Sequence, residues 1–486
     1  MRGKVNRDAV EETGNVAALT HEGEGVVRGT QGAETGKAGT KTAFVAGALP
    51  GESIRFKRVR RHRQHDEGEL LEVLTASSDR VTPKCAHFGV CGGCALQHLS
   101  ADAQIAAKDA EVRDNFERVA KVEPDTWLEP MRGPVWSYRR RARLGAKFVI
   151  KKGRVVVGFR ERLAPYVAQL ARCEVLAPPV GELISPLAEL LGTLSIRERL
   201  PQIEVAVADN VTALVLRVLE PPTAEDLEKL TGFQAAHAVR FYLQPGGLDT
   251  IRPLQGEVDP LVYRLPRFNL EMEFLPSDFI QINRSINDAL VSRAVELLGV
   301  TGESRVLDLF CGLGNFTLPL ASVAGRVVGV EGDQALVARA RHNAVRNAVD
   351  NVEFHAADLF KPFAVPGGPG RLGSQPAGSA ASGAAEPLGP VPPWAGGVGY
   401  THVLLDPPRA GAREILPYVA SLRPQAVLYI SCHPGSLARD VGILAHEFGF
   451  AVRAAGVIDM FPHTGHVESL AVLTPGRACG QHRVRR

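Results

Sequence analysis

No apolar run in this chain of 486 residues approaches the roughly 20 residues that a helix needs to cross a bilayer. The first segment, MRGKVNRDAVEETGN, has no apolar core of the kind a secretory signal carries. These two absences lead us to expect a soluble cytoplasmic protein with no membrane partner. Excess charge is also missing: 56 Lys and Arg against 53 Asp and Glu leave a net +3, so no global basicity announces nucleic acid. Cysteine is scarce, at seven residues, and in a reducing compartment these are not expected to form disulfides. With 45% hydrophobic and 22% charged residues the composition is that of a globular protein, and the length suggests about three domains.

What is present is unevenly placed. RFKRVRRHR (55–63) carries six Lys or Arg, and YRRRAR spans Tyr138 to Arg143. Such runs are either solvated faces or local sites for an anionic partner. Residues 12–80 read as a small β-barrel, because the alternating runs VAALTHEGEGVV, KTAFVAGALPGESIRFKRV and ELLEVLTAS are separated by glycine turns. A barrel of this size with a basic strand suits RNA binding. Residues 81–275 mix one helical stretch, DAQIAAKDAEVRDNFERVAKV, with β-like runs such as FVIKKGRVVVGF and QIEVAVADNVTALVLRV, as a central α+β domain. From 276 to 486 the short apolar runs RVLDLFCG, RVVGVEGD, NVEFHAAD, THVLLDPPR and AVLYISC alternate with helical segments, the pattern of a doubly wound parallel sheet. The stretch 364–400, rich in Pro, Gly, Ala and Ser, cannot bury enough apolar surface to offset its ordering entropy and is expected to be a mobile insertion.

In an open α/β sheet, ligands sit outside the carboxyl ends of the strands. Those ends here read DLFCGLGNFT (308–317), VEGD (330–333), AAD (356–358) and LDPPR (405–409). The glycine turn lets backbone approach a ligand, and Glu331 is placed to accept hydrogen bonds from ribose hydroxyls. A glycine turn alone also fits a dinucleotide; with Asp358 and the DPP turn the balance moves to S-adenosylmethionine. The next strand ends in SCHPGSLARD (431–440). Cys432 is either a small buried residue or a nucleophile. Methylation of nitrogen has no use for a thiol, whereas carbon 5 of a pyrimidine becomes nucleophilic only after something adds to carbon 6.

A second cysteine group, Cys85-x5-Cys91-x2-Cys94 with Gly92 and Gly93 in between, reads as a metal-binding turn. Thiolates in such a turn hold zinc or an iron-sulfur cluster, and spacing does not choose between them. His87 and His98 would be rival ligands to zinc.

FIQIN (279–283), VLDLFCGLGNFTLPLA (306–321), VVGVEGD, LLDPPRAG (404–411), YISCHPGSLARD and DMFPHTGHVESL (459–470) together resemble the RNA uracil-5-methyltransferase family. The resemblance covers most of the chain, since 12–80 looks like a TRAM domain of OB-like type and the cysteine group is similar to the family's iron-sulfur site. It implies a Rossmann-like methyltransferase sheet, Cys432 as nucleophile toward carbon 6 and Glu468 as the base that removes the carbon 5 proton. It also implies cofactor contacts at Gln281, Phe310, Asn315, Glu331, Asp358 and Asp406, the last with a possible hydrogen bond to the uracil ring. A [4Fe-4S] cluster would be held by Cys85, Cys91, Cys94 and Cys173. The combination is most similar to the branch acting on uridine 1939 of 23S rRNA, expected to work as a monomer. The alternatives are a tRNA uracil-5-methyltransferase and an iron-sulfur redox or radical enzyme. Where the family usually has Asn after the nucleophile, this chain has His433.

Overall fold

Five strands, Glu11–Leu19, Glu24–Val27, Ala43–Ala46, Ser53–Arg61 and Asp66–Thr75, close into a barrel in the order first, second, third, fifth, fourth. The computed structural model describes residues 11–20, 22–28, 41–162, 164–361, 392–396 and 399–476. Alternation along Ser53–Val59 sends Ile54 and Phe56 into a core with Val16, Val27, Ala43 and Val45, the period-2 pattern of a half-buried strand. The small barrel expected over 12–80 is present, and its five strands fit a TRAM or OB-like module. Its basic strand is less basic than it reads. Arg55 pairs with Glu11 and Glu72, Arg58 with Glu12 and Asp66, and Arg60 with Glu67, all on neighbouring strands. Among the described residues only Lys57, Arg61 and Arg63 of the six cations lack such a carboxylate.

A six-stranded sheet follows, ordered Arg252–Pro253, Val239–Gln244, Thr212–Arg217, Gln202–Val207, Arg141–Val149, Arg154–Gly158. Helices Ile184–Gly192 and Ala224–His237 cover it, and Leu144, Ile184, Leu187, Leu214 and Phe241 are fully buried in their shared core. Each such side chain contributes about 1.5–3 kcal/mol. Thr223 and Asp226 form a reciprocal capping box at the start of the second helix, and Asp226 also accepts from Ser195. The expected long helix runs Ala101–Asn115 and ends in a wider π turn, Phe116–Ala120.

The chain divides into two compact units: Met1–Ala110, Pro134–Asp259 and Phe461–His466 form one, and Glu111–Gly133, Pro260–Met460 and Val467–Arg486 the other. The second contains the doubly wound sheet. Its strands are β1 (Arg305–Leu309), β2 (Arg326–Glu331), β3 (Val352–Ala356), β4 (His402–Leu405), β5 (Ala426–Ser431), β6 (Phe450–Ile458) and β7 (Glu468–Pro475). They lie in the order β3-β2-β1-β4-β5-β7-β6, with the two-residue strand Thr126–Trp127 on the β6 edge. The first five are parallel and β7 is antiparallel to both neighbours. β1, β4 and β5 are buried almost throughout, which is why they read as continuous apolar runs rather than alternating ones.

Residues 364–391 and 397–398 of the low-complexity insertion lie outside the described residues. Its end does not match the expectation of a mobile loop to 400. Pro393–Ala395 forms a 3-10 turn, and Trp394 is buried edge-on against Tyr418 with ring centroids 5.5 Å apart. The Tyr400 hydroxyl donates to the Trp394 carbonyl at 2.7 Å. One indole supplies the apolar area that the surrounding composition lacks.

Candidate active site

Hydrogen-bond register brings the proposed reactive groups to one end of the doubly wound sheet. Ser431, the last residue of β5, pairs with Ser469 of antiparallel β7. Cys432 is one step beyond Ser431 and Glu468 one step before Ser469, so the two face each other across the ladder. The reversal of β7 alone makes this possible, because a parallel strand would carry residue 468 to the opposite edge. Next to β5, the end of β4 carries Asp406, whose amide donates to the Leu309 carbonyl at 3.3 Å.

The electrostatics of this corner are dominated by carboxylates in a poorly hydrated place. Burial pushes the Cys432 thiol up to about 11, the charges of Glu468 and Asp406 add to this, and the Arg409 guanidinium opposes it. Glu468, only 4% exposed, is raised well above the ordinary carboxylate value by burial and by Asp406. Asp406 is pushed up to about 7 by burial and then by Glu331. In the free protein burial therefore disfavours both the thiolate and the Glu468 carboxylate, and a cation or a proton acceptor arriving with the ligands would favour the charged forms.

His433, next to Cys432, has a structural partner of its own. It is the N-cap of helix Pro434–His446, and its Nδ1 accepts from the Ser436 amide at 3.1 Å. That is the service an asparagine side chain performs at an N-cap, which accounts for the replacement. On the same helix, buried Asp440 accepts from the Ala412 amide at 2.7 Å, the Tyr429 hydroxyl at 2.6 Å and Arg439 Nε at 2.8 Å. It thereby ties the loop after DPPR to β5, which Cys432 follows.

The cofactor-site candidates fall into three situations. Phe310 has φ +66, a left-handed conformation rare for a bulky residue, and starts the turn that Gly312 (φ +55) and Gly314 (φ +96) complete. Its ring lies 5.7 Å from that of Phe360. Glu331 already accepts from the amides of Gly312 (3.0 Å), Gly332 (2.7 Å) and Asp333 (3.2 Å), so it shapes the turn as well as facing it. The Asn315 amide is engaged by Tyr263 at 2.9 Å and by both ends of the Asn287 side chain. Asp358 is half exposed and accepts from the Phe360 amide at 3.0 Å; Gln281 is partly buried in the segment before helix Arg284–Leu298. Cys311 is buried, as expected of a packing residue.

Asp308 was not anticipated. It is fully buried on β1, accepts from the Thr317 hydroxyl at 2.5 Å, and is pushed up to about 8 by burial, then by Asp406 and Glu331. An acid inside the apolar run RVLDLF was the available signal. Arg409 was also passed over, although it follows the DPP turn directly. Carboxyls held above their unfolded values stabilise the fold at low pH and lose that contribution as pH rises from about 4 to about 8. Asp308→Asn is accordingly expected to flatten the fall in melting temperature between pH 5 and 8.5, as read by calorimetry of the ligand-free protein.

The other cysteines also meet. Cys85, Cys91, Cys94 and Cys173 line one cavity with Phe88, Phe159 and Leu170. Burial, with the charges of the other thiols adding to it, pushes Cys91 up to about 11 and Cys94 up to about 12. Among the described residues no group of three or more His, Cys, Asp or Glu converges closely enough for a single metal ion. Neither histidine rival is among the residues lining the cavity: His87 Nε2 accepts from the Ala171 amide at 2.9 Å, and His98 is buried against the lining residue Phe88.

The strand order, the antiparallel seventh strand and the acids at the strand ends define a Rossmann-like methyltransferase. Residues 265–358 and 398–475 match the family model described as tRNA (Uracil-5-)-methyltransferase. The chain is 46% identical over 459 residues to a protein of Methylococcus capsulatus named 23S rRNA (uracil(1939)-C(5))-methyltransferase RlmD, covering 94% of this chain and 96% of that one. A Nitrosococcus oceani protein of the same name is 47% identical over 465 residues, at 95% and 96% coverage. The chain belongs to the RNA uracil-5-methyltransferase family, in its RlmD branch. Among solved structures, the Pyrococcus abyssi tRNA (uracil-54, C5)-methyltransferase in complex with S-adenosyl-L-homocysteine superposes with a TM-score of 0.68 at 21% identity, over 95% of this chain and 100% of that one, which bears on the fold.

Proposed function

We propose that the protein is an S-adenosylmethionine-dependent enzyme that methylates carbon 5 of uridine 1939 in 23S rRNA. The observation that carries the mechanism is the facing of Cys432 and Glu468 across the β5–β7 ladder, with Asp406 at the neighbouring strand end. The Cys432 thiol loses its proton to water as the ligands bind, the thiolate sulfur bonds to carbon 6, and the electron pair of the 5,6 double bond moves toward oxygen 4, leaving carbon 5 nucleophilic. The bound cofactor supplies an electrophilic methyl on a sulfonium and leaves as the neutral thioether. Glu468 then takes the carbon 5 proton, the double bond reforms, and Cys432 departs. A carboxylate held above its usual range is a stronger base at neutral pH, and Asp406 and Arg409 adjust the charge felt by the thiol. Reaching a base within folded RNA requires its extrusion into this corner.

We assign Gln281, Phe310, Asn315, Glu331, Asp358 and Asp406 to the cofactor, with Asp406 also able to hydrogen-bond the uracil ring. Four thiols line one small cavity, and burial raises those of Cys91, Cys94 and Cys173, so a bound cation would be needed to compensate their thiolates, which suits a thiophilic cluster. The resemblance of the cysteine group to the family's iron-sulfur site favours [4Fe-4S] over zinc, with Cys85, Cys91, Cys94 and Cys173, which line one cavity, as ligands. Anaerobically purified protein is expected to carry about four irons, the count of a [4Fe-4S] cluster, and Cys94→Ser to lose them; zinc in their place would reject the cluster. We propose 12–80, 81–275 and 276–486 as functional modules, the second of which contributes Glu111–Gly133 and 260–275 to the compact unit of the third, and a cytoplasmic monomer as the working form.

With labelled cofactor, label is expected in a 23S transcript at the uridine numbered 1939 and none in tRNA. Label in tRNA alone would favour the tRNA reading of the same site.

A further inference from the structure

Between Met460 and Glu468 the chain reads FPHTGHV, and Phe461–His466 belong to the compact unit of the cysteine loop, not to that of their flanks. Their backbone is held at consecutive polar groups. Lys108 Nζ donates to the Phe461 carbonyl at 2.9 Å, and the Tyr138 hydroxyl to the Pro462 carbonyl at 2.9 Å. The His463 amide donates to Gln104 Oε1 at 2.8 Å. The His463 carbonyl accepts from the amides of both Ala95 and Leu96, at 2.8 and 3.0 Å. Gln104 and Lys108 lie four residues apart on one helix, each 2% exposed. Gln104 Nε2 also donates to the carbonyls of Leu96 (3.0 Å) and Leu99 (2.7 Å) and lies 3.2 Å from His463 Nδ1, while the Trp136 ring stacks on the imidazole at 4.0 Å.

His463 itself has φ +64, a left-handed conformation that a side-chain-bearing residue holds only when its surroundings impose it. A surface turn needs no such set of restraints. The Ala95–Leu96 peptide directly follows Cys94, so the cysteine loop and the strap form one hydrogen-bonded assembly.

We propose that Gln104, acting with the Ala95–Leu96 peptide on His463, is a positioning residue for the base Glu468. The inference rests on the reading of Glu468 given above. His466 ends the strap two residues before Glu468, the first residue of β7, and two residues of chain reach roughly 7 Å at most, so the strap restrains the end of the strand from which the carboxyl projects while the ladder holds the rest. Misplacement by about 1 Å is enough to cost on the order of 100-fold in rate.

Two rates separate this role from general damage. Turnover of uridine RNA requires removal of the carbon 5 proton; formation of a methylated covalent adduct with 5-fluorouridine RNA requires the thiol and the methyl donor but no proton removal. In the full-length holoenzyme, Gln104→Ala is expected to lower turnover roughly 30- to 100-fold while leaving the adduct-forming rate unchanged. His463→Asn, which tolerates a left-handed backbone, is expected to keep turnover near wild type, and His463→Val to reproduce the split. If Gln104→Ala does not fold, this pair carries the test. The proposal is overturned if both rates fall by one factor, if neither falls, or if the Asn and Val variants behave alike. Glu468→Gln run alongside distinguishes the failures: a split there without one in Gln104→Ala sinks only the positioning role, while wild-type turnover by Glu468→Gln sinks the base itself.

Discussion

Cys432→Ala is expected to reduce methyl transfer to 23S rRNA by roughly 10⁴- to 10⁶-fold, the scale seen when an enzyme loses its nucleophile. The reason lies in the substrate: carbon 5 of uracil has no nucleophilic character until carbon 6 is substituted, so no residual route of comparable rate remains. The variant should fold normally, because Cys432 is only partly buried and alanine leaves no large cavity. It should also bind S-adenosylmethionine with wild-type affinity in calorimetry, since the glycine turn and Glu331 lie on β1 and β2, across β4 from Cys432. Loss of cofactor binding together with activity would place Cys432 in the wrong role.

Glu468→Gln is expected to act later in the cycle. Turnover should fall by roughly 10²- to 10⁴-fold, the usual worth of a positioned general base, and a covalent protein–RNA adduct carrying the new methyl group should accumulate on ordinary uridine substrate, visible as a slowly migrating band in denaturing gels. Stability should change little. Burial raises the carboxyl well above its usual range and so disfavours the ion, and an amide of the same shape suits such a place. A variant that loses activity without accumulating adduct would mean that Glu468 acts before sulfur adds to carbon 6.

These two roles were legible in the sequence to different degrees. Cys432 and Asp406 follow apolar runs of strand length, and in a parallel sheet the residue after such a run emerges at the ligand-binding edge. Nothing local says this of Glu468: it stands at the start of a strand, and reaches the same edge only because β7 runs antiparallel. Family resemblance marked it; its register explains it. The basic strand shows the opposite case. Its six cations are plain in the sequence, but the carboxylates that neutralise Arg55, Arg58 and Arg60 come from the neighbouring strands Glu11–Leu19 and Asp66–Thr75, and such cross-strand pairing is invisible to a reading along one segment. Trp394 was hidden by composition, one indole within a stretch of Gly, Ala and Pro. His433, a departure from the family when read as a letter, is an ordinary N-cap once its Nδ1 is placed against the Ser436 amide.

The central claim, thiol addition to carbon 6 followed by methyl transfer, is tested most directly by incubating the protein with labelled S-adenosylmethionine and a 23S rRNA fragment containing 5-fluorouridine, then digesting the product for mass spectrometry. The expected result is a stable peptide–nucleotide adduct, linked through Cys432 and carrying the transferred methyl group, because fluorine at carbon 5 cannot be removed as a proton. Methylated RNA with no covalent adduct, or an adduct through another residue, would contradict the mechanism.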